Sequence, residues 1–311
     1  MKYSLLIICL ALVFQTFGCS DISLSNEYSS VSARTMDMDC DLHSKVLIIP
    51  RNMKWSSENC GEIKGLSWAN KYGFIAVNTL GQETVYCDGM NEKGLSAANL
   101  YLKETSYPEP KKGNNVLAVM DMTSWILGNF DSVNELKKAL GNIVVWGNIY
   151  KPWGIVCKLH FIAHDAYGKS LIIEWIGGKM NLNESNGKFC VLTNDPDYKK
   201  QLESAISSAP INNDITNSQQ RFKFLYTVLK KYYQANSNCN NFLIPSSEII
   251  ARAATIRGED KESEDKYFST QFIVLRDHTN KRFYIKFSGE PNYTQIDLNK
   301  ENFLSSSIEN R

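Results

Sequence analysis

The sequence predicts an α+β fold of mainly antiparallel sheets, with helices packed against them in layers. Three observations predict it. The elements run in blocks, strands then helices then strands again, without the regular βαβ alternation of a doubly wound parallel sheet. The apolar strand candidates follow one another across short polar turns, as hairpins do. And 43% hydrophobic against 22% charged residues over 311 positions is enough to bury a substantial core, in one domain spanning 19–311. No internal repeat, Pro-rich linker or low-complexity run divides it.

Taken in order, residues 20–24 and 30–36 read as two strands around the polar turn 25–29. Further strands are expected at 45–50, 74–78, 84–87 and 95–102. Residues 116–130 and 133–140 read as two helices. In the second, Val133, Leu136 and Leu140 fall on one helical face, and Asp131 and Ser132 are the N-cap candidates. A meander follows at 158–164, 170–176, 179–182 and 188–193, with Ala166-Tyr167-Gly168-Lys169 marking its first turn. Helices resume at 198–206, 218–233 and 246–255. Strands at 270–276 and 282–287 close on a turn at 277–281.

With 34 Lys+Arg against 33 Asp+Glu, the chain lacks the basic stripe that neutralises phosphates, so no nucleic-acid partner is expected. Residues 1–18 have the layout of a secretory signal: Lys2, an unbroken apolar run from Leu5 to Phe14, then Thr16 and Gly18 at the −3 and −1 positions before Cys19. The run is too short for a stable membrane span, which takes about 20 apolar residues. Export, to the periplasm or the medium, is the expectation, and loss of Lys2 leaves basic and acidic residues equal in number. Cleavage before a cysteine has two incompatible meanings. A lipoprotein carries lipid on that sulfur and an acyl group on its amine; an N-terminal nucleophile needs both free.

As a first residue, Cys19 carries a nucleophilic thiol together with an α-amine whose pKa, about 7.7–8.0, makes it a base near neutrality. The thiol, at about 8.5, needs positive neighbours to ionise. Arg34 on the second strand can supply that field, and Asp37 can hold the amine. Strand alternation sends Arg34 and Met36 one way and Thr35 and Asp37 the other, so a bulge or strand end is expected where both reach one site.

Cys19-Ser20, then Ala33-Arg34-Thr35-Met36-Asp37, resembles the opening of the choloylglycine hydrolase and penicillin V acylase family, N-terminal-nucleophile (Ntn) amide hydrolases. The further matching blocks come in order: Trp68-Ala69-Asn70-Lys71-Tyr72-Gly73, Asp88-Gly89-Met90-Asn91-Glu92-Lys93-Gly94-Leu95, and Leu192-Thr193-Asn194-Asp195-Pro196. The resemblance implies a four-layer αββα Ntn-hydrolase sandwich. It implies Cys19 as nucleophile, Arg34 beside its sulfur and Asp37 on its α-amine. Tyr101, seven residues beyond Gly94, matches the oxyanion position of the penicillin-acylase-like branch, where bile-salt-cleaving relatives more often have Asn. Asn194 matches the other oxyanion donor, and Arg221 the family's second arginine. The implied reaction is hydrolysis of a linear amide in a small N-acyl substrate through a thioester, with no cofactor and no metal. Penicillin V, a conjugated bile acid, an N-acyl-homoserine lactone and a fatty-acid amide are the candidate substrates. The non-enzymatic alternative is a lipid-anchored binding protein on an inherited Ntn scaffold. The stretch between Asn194 and Arg221 is much shorter than the loop through which bile-salt-cleaving members build tetramers, so any homo-oligomer is not expected to use it.

Other features are assigned no chemistry. His160 and His164 lie four apart on an expected strand, about 13 Å at ~3.3 Å per residue, too far for a metal pair. Lys230-Lys231-Tyr232-Tyr233 reads as the solvated end of a helix. Asn183-Glu184-Ser185 and Asn292-Tyr293-Thr294 are glycosylation sequons, meaningful only in a eukaryotic host. With Cys9 lost and Cys19 reserved, Cys40, Cys60, Cys87, Cys157, Cys190 and Cys239 permit up to three disulfides in an oxidising compartment.

Overall fold

This computed structural model describes residues 18–185, 187–207, 216–255, 260–263 and 266–311, with no account of side chains between 256 and 268. The expected signal segment, except Gly18, therefore lies outside the described residues, as does much of the connection between Asn194 and Arg221.

Fifteen strands make two large sheets. They are β1 (Ser20–Ser25), β2 (Ser30–Met38), β3 (Val46–Ile49), β4 (Phe74–Asn78), β5 (Tyr86–Asn91), β6 (Ser96–Tyr101), β7 (Leu159–His164), β8 (Ser170–Ile176), β9 (Lys179–Glu184), β10 (Phe189–Leu192), β11 (Asp260–Ser263), β12 (Lys266–Asp277), β13 (Arg282–Phe287), β14 (Thr294–Asp297) and β15 (Glu309–Asn310). The seven-stranded sheet runs β10-β1-β2-β12-β13-β14, with β11 paired to β12. The eight-stranded sheet runs β9-β8-β7-β6-β5-β4-β3-β15. Every pairing within the two is antiparallel.

Helices α1 (Met122–Asn129) and α2 (Val133–Leu140) cover the outer face of the eight-stranded sheet, where Leu127, Leu136 and Leu140 pack with Phe74 and Phe161. Helices α3 (Tyr198–Ile206), α4 (Ser218–Asn236) and α5 (Leu243–Ala251) cover the seven-stranded one, Phe222 and Ile250 packing on Ile22, Leu24 and Ala33. Between the sheets lies a third core that joins Met36, Met38 and Val274 to Ile75, Val77 and Ile162. The order helix, sheet, sheet, helix is the expected αββα sandwich. Covering both faces explains why all of β1 and β2 is buried although more than half their residues are polar.

Several elements differ from expectation for identifiable reasons. The helix expected at 116–130 begins as a strand, Val116–Ala118, pairing in parallel with Val144–Trp146, and passes through a 3₁₀ turn before α1. A short apolar run carries no periodicity to distinguish the two, and the Ser57 hydroxyl takes the Ala118 N–H at 2.8 Å. Helix α5 starts before Pro245, which the first turn tolerates, rather than after it. Ser132, and not Asp131, caps α2 by accepting from Glu135 N–H. No disulfide involves Cys60, Cys87, Cys157, Cys190 or Cys239; these are thiols. Among the described residues no helix is long and apolar enough to cross a membrane.

Candidate active site

Cys19 stands one residue before β1, in the ladder position opposite Met36 that follows Ser20 opposite Thr35. Alternation then divides its surroundings. Its sulfur faces the core between the sheets, 3.6 Å from Met36 Sδ and 3.9 Å from an Arg34 terminal nitrogen. On the other face of the same strand Thr35 Oγ1 accepts the Ser20 N–H at 3.2 Å. Asp37 also lies there, so close to Gly18 that a Cβ on that glycine would come within 2.8 Å of its Oδ2. The expected bulge or strand end is therefore not needed on β2 to bring Arg34 and Asp37 to one residue. Each meets a different end of Cys19: Arg34 the thiol, Asp37 the backbone nitrogen side. The irregularity lies on β12, where the ladder slips between Thr270 and Phe272 and sets Thr270 opposite Asp37. Thr270 donates its hydroxyl to Asp37 Oδ1 at 2.6 Å.

Arg34 is fully buried and anchored on both terminal nitrogens. One donates to Cys87 O at 2.6 Å and Asp88 Oδ2 at 3.2 Å, the other to Asn99 O at 2.5 Å. On the helix side, Arg221 donates to Ser20 Oγ at 2.9 Å, to Cys19 O at 3.4 Å and to Asn194 Oδ1 at 3.2 Å. Asn194 in turn donates from Nδ2 to the carbonyl of Tyr101 at 3.0 Å. Leu102 N–H bonds Lys158 O at 2.9 Å, so Tyr101 is in the alternate, non-bonded position toward β7 and its own N–H points to the other side, where β5 has not yet begun. All six residues singled out in the sequence gather around Cys19. Cys19, Arg34 and Tyr101 line one cavity, of about 300 Å³; Asp37, Asn194 and Arg221 close the site from behind.

The cavity is mostly apolar, with Met36, Met38, Leu42, Leu100, Met120 and Trp153 on its walls. Its mouth runs under a small hairpin, Ile149–Tyr150 with Ile155–Val156, and beside Lys103 and Lys158.

Burial dominates the electrostatics. It pushes the Cys19 thiol above its ordinary value, against the pull of Arg34. Burial also raises the Asp37 carboxyl to about 7, although Thr270 and Arg221 oppose the rise. Asp37 Oδ2 has no hydrogen-bond partner among the described residues. With Gly18 joined to Cys19, the nitrogen beside it is an uncharged amide.

Each histidine of the set-aside pair meets a carboxylate: His160 bonds Glu174 at 3.1 Å and His164 bonds Asp21 at 2.9 Å. Among the described residues no group of three metal-type ligands converges. Four residues that complete the site escaped the sequence reading. Asp88 opens the quoted eight-residue block but received no role, whereas Asp21, Thr270 and Arg276 carry no local motif at all.

Residues 19–220 match the model of the linear amide C–N hydrolases, choloylglycine hydrolase family. The chain belongs to this family. Its activity class follows: it is a hydrolase of non-peptide C–N bonds in linear amides. Among relatives, penicillin V acylase of Pectobacterium atrosepticum is 28% identical, over 88% of this chain and 78% of its own. Bile salt hydrolase/transferase of Clostridium perfringens is 27% identical, over 88% and 90%. The fold matches a crystallised variant of conjugated bile acid hydrolase from Clostridium perfringens with a TM-score of 0.82 at 23% identity, covering 94% of this chain and 96% of that one. It matches penicillin V acylase from Agrobacterium tumefaciens with a TM-score of 0.76, also at 23% identity, covering 94% and 90%.

Proposed function

We propose that the protein is exported, that cleavage before Cys19 frees its amine, and that the product is an N-terminal-nucleophile amidase working through a thioester. One observation carries this: the sulfur of Cys19 faces Arg34 and the cavity, while its nitrogen side faces an Asp37 carboxylate oxygen that has no hydrogen-bond partner among the described residues. A freed α-ammonium is the cation that position accepts, and next to the thiol it also favours the thiolate. The thiolate attacks the amide carbonyl carbon, forming C–S and placing the negative charge on oxygen. The Asn194 Nδ2–H and Tyr101 N–H hold that oxyanion. Collapse breaks C–N as the α-ammonium protonates the leaving amine, and water then hydrolyses the thioester.

The cavity lies at the small end of the range for ligand pockets, about 300–1,000 Å³, which favours a compact apolar acyl group such as phenoxyacetyl over a cholanoyl group. Mass spectrometry of the exported protein tests the processing: a free Cys19 at the N-terminus is expected. Any other first residue, or lipid on that sulfur, rejects it. Cys19→Ala should remain folded and lose amide hydrolysis, measured side by side on penicillin V, glycocholate and a long-chain acyl-homoserine lactone; retained turnover rejects the nucleophile.

A further inference from the structure

Behind Arg34 a chain of buried charges runs between the sheets and is used by none of the steps above. Asp88 is gripped at two points by Arg276, whose Nε donates to Oδ1 at 2.9 Å and whose terminal nitrogen donates to Oδ2, the oxygen that Arg34 also reaches. The other end of Arg276 donates to Asp21 Oδ2 at 3.1 Å and Ser32 Oγ at 3.0 Å. Asp21 Oδ1 takes the Nε2 proton of His164. Arg34, Asp88, Arg276 and Asp21 are each fully buried. Two arginines and two aspartates balance within this chain, but not pairwise. Asp88 makes two contacts with Arg276 and one, longer, with Arg34.

Resting on the nucleophile reading above, we propose that Arg276 is a positioning residue for Cys19: by holding Asp88 it keeps that carboxylate from neutralising Arg34 and leaves the Arg34 charge directed at the sulfur. The geometry supports the division of labour. A guanidinium matches a carboxylate bidentately, so Arg276 satisfies most of the Asp88 acceptor capacity. Arg34 is meanwhile tied to the carbonyls of Cys87 and Asn99, neutral partners that fix its position without cancelling its charge. In a buried site such charges act with little screening.

Other titratable groups around Cys19 are Arg34 and Asp37 on β2, Asp21 on its own strand, Cys87 and Asp88 on β5, and Arg221 on α4. Lys103, Tyr150, Cys157 and Lys158 stand around the cavity beyond them. Burial keeps Cys87 a neutral thiol, pushed up to about 12, so it does not compete in titration.

The test reads the Cys19 thiol itself: the rate of iodoacetamide alkylation of the Cys19 peptide against pH, followed by mass spectrometry on the full protein. Arg276→Met should move the inflection up by about one pH unit, because Asp88 is then released to Arg34. Arg276→Lys, which keeps the charge but not the two-point grip, should move it up by less. Asp21→Asn removes a negative charge from the far end of the chain and should move it down. Opposite signs from the two ends distinguish charge positioning from structural damage, which has no reason to change sign. Unchanged inflections in folded variants, or shifts in the same direction, overturn the proposal. If Arg276→Met does not fold, Arg276→Lys against Asp21→Asn decides by the same criterion. Alkylation requires no substrate, so an absence of amide hydrolysis would reject the proposed function without touching this result.

Discussion

Asn194 is a carboxamide whose orientation is fixed by chemistry on both sides. Its Oδ1 takes a proton from Arg221 and its Nδ2 gives one to Tyr101 O; a flipped amide would set donor against donor and acceptor against acceptor. Gln201 holds the Asn194 backbone carbonyl at 2.7 Å and accepts from Thr193, so the segment is fixed from α3 as well. One Nδ2 proton is committed to Tyr101, and the second is the one assigned to the oxyanion in the proposed mechanism. Asn194→Ala should therefore lower kcat about 10²–10³-fold with a much smaller change in KM, as removal of one oxyanion donor typically does. Steady-state kinetics on the best of the three substrates checks it; a kcat within a few-fold of wild type removes Asn194 from the role. Arg34, Asp37 and Asn194 are legible because each lies in a short string, Ala33-Arg34-Thr35-Met36-Asp37 or Leu192-Thr193-Asn194, in which neighbours identify it, and Tyr101 is placed by its count from Gly94. Arg276 has no such string. It matters through Asp88 and Asp21, which lie 188 and 255 residues away in sequence, and only the approach of two sheets makes them neighbours.

At the scale of elements, β5 shows why a strand was misplaced. The sequence predicts a strand at 84–87, whereas the strand runs from Tyr86 through Asp88 and Gly89, both poor strand formers, to Asn91. Tertiary contacts override propensity here. Asp88 turns inward to two arginines, and Gly89 has no room for a side chain: a Cβ would come within 2.4 Å of Ile75 O and 2.6 Å of Leu127 Cδ1. Gly89→Ala should accordingly destabilise the fold by roughly 1–3 kcal/mol through overpacking against α1. A lower urea midpoint with an unchanged slope is the expected reading, and an unchanged midpoint contradicts it. Where the pattern was strong the expectation held to the residue, as at Val133–Leu140, Ser170–Ile176, Tyr198–Ile206 and Arg282–Phe287. It failed for Lys54–Ser56 and Glu309–Asn310, two short strands defined by their partners rather than their composition. The latter pairs with Val46–Ile49 across most of the chain.

At the scale of the whole molecule, four layers leave the site no aqueous surroundings except the cavity, so each buried carboxylate depends on its partners. Asp21 has them: although burial opposes it, Arg276 and His164 hold its carboxyl below the ordinary value. Its contribution to stability is present above the unfolded-state value and is lost as pH falls through the lower folded one. Asp37 is the reverse while Gly18 remains attached. Its folded value, about 7, lies above the ordinary carboxyl value of 3.8, so the stability it contributes is full below about 4 and is lost as pH rises through about 7. A chain retaining Gly18 should therefore be most stable in acid near pH 4 and lose on the order of a few kcal/mol between about pH 4 and 7. The proposed processing would replace the neutral amide with an ammonium beside Asp37, favour the carboxylate and remove that decline. Urea midpoints across this range, measured on the chain kept uncut and on the processed chain, give the comparison. The uncut chain should fall, its Asp37→Asn variant should be flat, and the processed chain should be flat. Parallel profiles for cut and uncut chains would mean that the freed amine is not the partner of Asp37, and that the sandwich holds this carboxyl neutral for a reason unrelated to catalysis.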